Sequence, residues 1–295
     1  MPEPRPSEFV NTQAGLDALV KRLAGEPALA VDTESNSFHA YFERVCLIQL
    51  STRDADFAVD PFDLDARPLG ELFANPRIEI VLHAADYDVR SMKRDFQFRF
   101  ARLFDTMLAA KMLGKPEIGL AALVLGSFGM RLAKEHQRSD WGRRPLSPAQ
   151  IAYAHMDTRY LLPLRDLLGR ELSAAGREAE AYALFERQAA CEPRPRRFDA
   201  EAFRHIRGFR ALEPSARAVV GALYKLREDC ARAANRPPFK VFGDDALLEL
   251  GRKRPRSSEE LSHVKGLGQS TVRRDGEAIV AAIARALASD SVHAA

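Results

Sequence analysis

The run CEPRPRRFD, Cys191–Asp199, constrains the chain more than any other stretch. Its two prolines lack a backbone N–H and push the residues before them toward extended conformations, so helical patterning stops there. The segment reads as a linker, and the 295 residues fall into two parts of different character around it. A chain of that length is expected to hold one large domain or two modest ones. We expect a first domain over residues 1–190, a linker over 191–210 and a second domain over 211–295.

Before the linker the pattern is mixed α/β. Ala28–Asp32 (ALAVD), Val45–Ser51 (VCLIQLS) and Asp56–Asp60 (DFAVD) are apolar runs of strand length joined by short polar connections, which predicts an antiparallel meander. Helical and strand patterns then alternate: a helix over 64–73, a strand over 78–83, a helix over 89–96 and a short strand at 102–104. Helical periodicity returns over 106–113, 120–128 and 148–168. A mixed sheet with helices on both faces is the architecture this order describes. After the linker only helices are predicted, over 215–235, 244–251, 258–264 and 270–287. NRPPFKVF between the first two is expected to be extended, because of its consecutive prolines.

Charge is nearly balanced overall, at +3, but it is unevenly placed. Residues 199–295 carry 17 Lys and Arg against 13 Asp and Glu, which leaves −1 for the rest. The three cysteines, Cys46, Cys191 and Cys230, form no C-x-x-C pair, so neither a zinc site nor a disulfide framework is expected. The start, MPEPRPSEF, has no apolar signal core, and the longest uncharged stretch, Ile118–Met130, is shorter than the roughly 20 residues a membrane span needs. A cytoplasmic protein without a membrane segment is the expectation.

Three acidic segments stand out in the first part. In AVDTES, Asp32 and Glu34 are i and i+2 at the end of a strand, so both carboxylates project to one face. Carboxylates held side by side repel unless protonated or bridged by cations, and hard oxygen donors suit Mg²⁺ or Mn²⁺ better than zinc. In LHAADYDVRSM, Asp86 and Asp88 open a helix after a strand ending at His83; one of them suffices as a cap, leaving the other to face the strand ends. In YAHMDTRYLLPL, Tyr153 and Asp157 are i and i+4 on a helix and share a face. His83, closing a strand, reads as a hydrogen-bonded structural residue before a base. Trp141 with Arg143 and Arg144 reads equally as a substrate-facing group or as a loop capping the core.

Taken in this order, VDTES, HAADYD and YAHMD resemble the three motifs of the DEDD exonuclease superfamily, in its tyrosine branch, with ribonuclease D as the nearest family. CLIQLS, LFDTMLAAKML and SDWGRRPLSPAQIAYA extend the resemblance across most of residues 28–168. The histidine branch would need His at position 152, which is Ala152. The resemblance implies a ribonuclease H-like mixed-sheet core. It also implies 3′→5′ exonuclease activity by two-metal-ion hydrolysis, with two divalent cations, Mg²⁺ or Mn²⁺, as cofactors. Carried over position by position, the metal ligands are Asp32, Glu34, Asp88 and Asp157, and Tyr153 orients the attacking water. Asp88 is selected over Asp86 because the family's ligand follows the histidine by five positions.

The second part, in VVGALYKLREDCARAANRPPFKVFGDDALLELGRKRP and SSEELSHVKGLGQSTVRRDGEAIVAAI, resembles the helicase-and-ribonuclease-D C-terminal (HRDC) domain, a small all-α nucleic-acid-binding module. VKGLG reads either as a phosphate-facing helix-hairpin-helix turn with Lys265 beside it or as a tight interhelical turn. RKRPR, Arg252–Arg256, reads as a solvated loop. The substrates implied are single-stranded RNA 3′ ends, tRNA precursors among them. DNA ends are the rival substrate, since nothing in the sequence reports on a 2′-hydroxyl; a silent nucleic-acid adaptor would lack one of the carboxylates. The oligomeric state is not legible.

Overall fold

Six strands form one mixed sheet: β1 (Ser7–Val10), β2 (Ala28–Ser35), β3 (Val45–Ser51), β4 (Asp56–Val59), β5 (Glu79–Leu82) and β6 (Leu103–Asp105), in the order β1-β4-β3-β2-β5-β6. The computed structural model describes residues 5–133, 135–193 and 197–293; positions 194–196 of the expected linker lie outside the described residues. Strands β2, β3 and β4 pair antiparallel, as the meander requires, while β5 and β6 add in parallel beside β2 and β1 lies parallel to β4. All seven residues of β3 are buried, which is why its sequence is a nearly continuous apolar run and not an alternation.

The helices of this unit are α1 (Gln13–Leu23), α2 (Arg67–Phe73), α3 (Asp86–Phe96), α4 (Thr106–Met112), α5 (Leu120–Phe128), α6 (Pro148–Arg159), α7 (Leu161–Ala174) and α8 (Glu178–Ala189). α1 buries Leu16, Leu19 and Leu23, spaced three and four apart, against the core, and Thr12 caps its start. The single helix expected over 148–168 is two, broken at Tyr160. Pro163 explains the break: without an N–H it cannot continue the α6 ladder, but it fits the first turn of α7, where donors have no intrahelical partner.

The chain forms two compact units. The second contains the residues beyond the linker and also Ser37–Glu43, the connection between β2 and β3, which the sequence reading placed in the first domain. Its helices are α9 (Pro214–Ala233), α10 (Pro238–Val241), α11 (Asp244–Lys253), α12 (Ser258–Ser262) and α13 (Gln269–His293). Val219, Val220, Leu223, Leu247, Leu250, Leu261 and Ile279 are the centre of its apolar core, joined by Tyr41. The expectation of an extended NRPPFKVF is corrected by α10: Pro238 occupies the first helical position, where its fixed φ favours a turn of helix. In VKGLG, Val264 and Leu267 are buried and Gly266, at φ +85°, lies against Ala246. That glycine is needed for an interhelical turn. Among the described residues no helix is long and apolar enough to cross a membrane.

Candidate active site

β2 carries Asp32 and Glu34 on the same face, two residues apart. The helix laid across that face is α6. Its position is shown by β3, where Ser51, two residues from Gln49 and therefore on the same side as Asp32's cross-strand neighbour, meets Thr158 of α6 at 2.7 Å. α6 has a strong local start. Ser147 and Gln150 form a reciprocal capping box, and Pro148 follows the cap. One turn apart on this helix, the Tyr153 hydroxyl faces the Asp157 carboxylate and acts to lower its pKa.

The third source of carboxylate is the start of α3. β5 ends at Leu82, and the backbone turns through Ala84 at φ +58°, an unfavourable value for alanine. Asp105 holds that turn: its carboxylate accepts from Ala84 N–H at 3.1 Å and Ala85 N–H at 2.8 Å, and it also caps α4 through Met107 and Leu108. The turn sends the two aspartates of α3 in different directions. Asp86 is exposed and paired with Arg90 at 2.9 Å. Asp88 is buried and accepts a hydrogen bond from the hydroxyl of Thr33, the residue between Asp32 and Glu34.

The resulting cluster is electrostatically strained. Burial, and then the charges of Asp88, Asp157 and Glu34, raise the pKa of Asp32 well above the ordinary carboxylate range. Burial followed by Asp157 and Asp88 pushes Glu34 to about 9. Burial lifts Asp88 to about 6 against the opposing hydrogen bond from Thr33, and lifts Asp157 to about 7 against that from Tyr153. Tyr153 is itself raised above the usual phenol value, first by burial and then by Asp157, Glu34 and Asp32. Mutual repulsion of this kind links the four carboxylates as one site. Among the described residues no group of three or more His, Cys, Asp or Glu side chains is placed to hold a metal ion.

The other residues singled out in the sequence have structural partners. His83 Nδ1 lies 2.9 Å from Thr106 Oγ1, and burial lowers its pKa. Trp141 is buried against the Tyr153 cluster, and Arg144 bonds the carbonyls of Trp141 and Cys46 and the Asp60 carboxylate while covering the Phe62 ring. Of the two readings of that loop, Trp141 and Arg144 take the capping one. Sequence reasoning missed Asp105 and Thr33. Asp105 had a signal, an Asp between a strand and a helix in LFDTML; Thr33 had none, because its partner lies 55 residues away.

Both parts of the chain are similar to known proteins. Residues 7–173 match the family model described as 3′-5′ exonuclease, and residues 216–283 match the HRDC domain. Ribonuclease D of Acidiphilium cryptum (strain JF-5) is 34% identical over 290 residues, covering 96% of this chain and 72% of that protein. The chain belongs to the ribonuclease D family of 3′–5′ exonucleases.

The enzyme is thus a hydrolase, a 3′–5′ exoribonuclease, with a mixed-sheet exonuclease core and an all-helical HRDC region. It is also 36% identical over 256 residues to the exosome complex component 10 homolog of Caenorhabditis elegans, covering 85% of this chain but only 29% of that protein. In structure it is similar to the catalytic core of RRP6 from Trypanosoma brucei, with a TM-score of 0.88, 27% identity and coverage of 98% of this chain and 82% of that one. These relatives are ribonucleases and exosome components, so the DNA-exonuclease reading is not favoured.

Proposed function

We propose that residues 1–190 carry out 3′→5′ hydrolysis of single-stranded RNA ends in the cytoplasm, tRNA precursors included, and that residues 211–295, joined through 191–210, add grip on the RNA. The observation that carries the site assignment is that Asp32 and Glu34 share one face of β2, under the helix bearing Tyr153 and Asp157, and are close enough to Asp88 and Asp157 to feel their charge. The family is divalent-metal dependent, and this donor set fits. All four ligands are hard carboxylate oxygens, and their buried negative charge has no compensating Lys or Arg among the causes of their pKa shifts.

In this reading Asp32, Glu34 and Asp157 hold one cation, and Asp32 with Asp88 holds a second, Mg²⁺ or Mn²⁺. Bound there, such ions supply the Lewis acidity that makes water a nucleophile at neutral pH and stabilises the departing 3′ oxygen. The protein's own contribution is orientation. Thr33 fixes the Asp88 carboxylate by donating to it. Burial and then the nearby carboxylates raise the pKa of Tyr153, which favours its protonated form as a positioning group. Its hydroxyl donates to Asp157 and keeps lone pairs to align the attacking water. Asp86 takes no part, being turned to solvent with Arg90.

The test is one Mg²⁺ reaction on matched single-stranded RNA and DNA, each with a free or blocked 3′ end, using the wild type and Asp157→Asn. The expected result is stepwise shortening of free-ended RNA by the wild type alone. Cleavage of blocked ends would mean an endonuclease, and near-normal turnover by Asp157→Asn would sink the metal assignment.

A further inference from the structure

Gln49 is fully buried, yet among the described residues neither its amide nitrogen nor its amide oxygen has a hydrogen-bond partner. Buried carboxamides normally bond to something, because an unmade hydrogen bond in a dry interior leaves the lost hydration uncompensated. Position makes this one informative. In the antiparallel register of β2 and β3, Gln49 stands directly opposite Asp32. Directly opposed residues project from the same face with their Cβ atoms about 4.5–5.5 Å apart. That face is the one α6 covers with Tyr153, Asp157 and Thr158.

The neighbouring polar groups on the same face do not need Gln49. Ser51 bonds Thr158 and Asp56 at 2.7 Å each, and Asp56 is held by Arg159 at 2.6 and 2.9 Å. On the other side Leu47 packs into the apolar cluster of Trp141, Tyr153 and Ala154. Gln49 therefore lies between the Ser51–Thr158–Asp56 network and the carboxylate cluster, with His155 Nδ1 of α6 also without a partner among the described residues. A glutamine with a purely structural role would be expected to join that network, or an apolar side chain would take its place. The strand register sets the Gln49 side chain beside Asp32, the carboxylate asked to serve both cations.

We propose that Gln49 is a positioning residue for Asp32. With the divalent cations bound, its side-chain N–H donates to the Asp32 carboxylate, directly or through one water, and fixes the plane in which Asp32 presents its oxygens. A donor suits this role because an ionised carboxylate only accepts. Outer-shell partners of this sort orient the ligands that touch the ion. The inference rests on the assignment of Asp32 as a metal ligand, so its test must separate the two.

Gln49→Met keeps the length and removes both polar atoms. Metal-free, it should melt at the wild-type temperature or above, since no protein hydrogen bond is lost. Its Mn²⁺ affinity, read by titration calorimetry without RNA, should fall about tenfold or more, and kcat should fall with it while KM for a short RNA stays within about twofold. Asp157→Asn is the control. If Asp157→Asn binds Mn²⁺ like the wild type, the metal assignment itself fails. If Asp157→Asn loses binding but Gln49→Met matches the wild type within about twofold, the Gln49 proposal alone is overturned. Should Gln49→Met fail to fold, the wild type decides. The Gln49 side-chain amide NMR signal must shift when Mg²⁺ is added, and a signal that does not move overturns the proposal.

Discussion

In the helical unit, buried charge comes with its partner. Arg227 is buried and bonds the Asp244 carboxylate at 2.7 Å and the Phe242 carbonyl, and the buried Glu228 accepts from the Tyr41 hydroxyl. In the exonuclease unit the same precaution is taken away from the site: Asp56 with Arg159, Glu79 with Arg165 and Asp60 with Arg144. The four site carboxylates, by contrast, are clustered with one another and have no cation of the protein's own among the causes of their shifts. Leaving buried charge uncompensated is destabilising, so it persists where something outside the chain is meant to complete it. On the proposed assignment, the difference marks where this molecule gives up stability for chemistry, and where it does not.

The largest expected effect breaks that comparison if it fails. Asp32→Ala should lower kcat on a short RNA by on the order of a thousandfold or more. The metal-free melting temperature should hold or rise, because a repelling charge is gone. A variant that is both active and less stable would show Asp32 to be an ordinary structural residue. Tyr153→Phe comes next: losing the hydroxyl that aligns water should reduce kcat by about a hundredfold while Mn²⁺ binding is retained. Loss of metal binding in this variant would instead make Tyr153 a support for Asp157.

The pH dependence of the metal-free protein is the third test. The folded values of about 6 for Asp88, about 7 for Asp157 and about 9 for Glu34 lie above the ordinary 3.8, 3.8 and 4.5. Between those limits these groups hold more protons in the native state than in the unfolded state, so the stability they contribute is fully present below about pH 4 and is lost as pH rises toward 9. Melting temperature followed in EDTA should fall across this window, and saturating Mg²⁺ should flatten the curve. Parallel curves with and without Mg²⁺ would remove the cluster's claim to bind cations.

The smallest effect sharpens the other side of the comparison. Glycine to alanine inside a helix ordinarily gains about 1 kcal/mol. At Gly251 of α11 an added Cβ would stand 2.7 Å from Val220 Cγ2 and 3.0 Å from the Ala216 carbonyl oxygen of α9. The clash should reverse the sign, and Gly251→Ala should destabilise the helical unit by about 1–3 kcal/mol without altering cleavage of a dinucleotide. Unchanged stability by chemical denaturation would mean that α9 and α11 pack less tightly than this.

How much of this was legible beforehand depends on the range of the interactions. The meander, the short strands after it and most helices could be read from apolar periodicity, which is a local property. The helix break at Tyr160 was missed although Pro163 was in view, since proline is tolerated in a first turn and only the fold shows that a first turn is there. The β1 strand was missed because SEFV is short and gains its stability by pairing with β4, whereas α1 was missed although Leu16, Leu19 and Leu23 at helical spacing behind the Thr12 cap made it legible.

The opening break at Cys191–Asp199 foretold two parts of different kind, and local sequence alone determined which was α/β, which was helical, and that Asp32 with Glu34 and Tyr153 with Asp157 share faces. Strand and helix periods settle such pairings without reference to the rest of the chain. Only the tertiary structure turned Asp86 to solvent and buried Asp88, because that depends on Asp105 turning the backbone at Ala84 and on Thr33 reaching across from β2. It alone brought Ser37–Glu43 into the helical unit and set Gln49 opposite Asp32. Contacts between residues tens of positions apart follow from register and packing, and no local pattern encodes them.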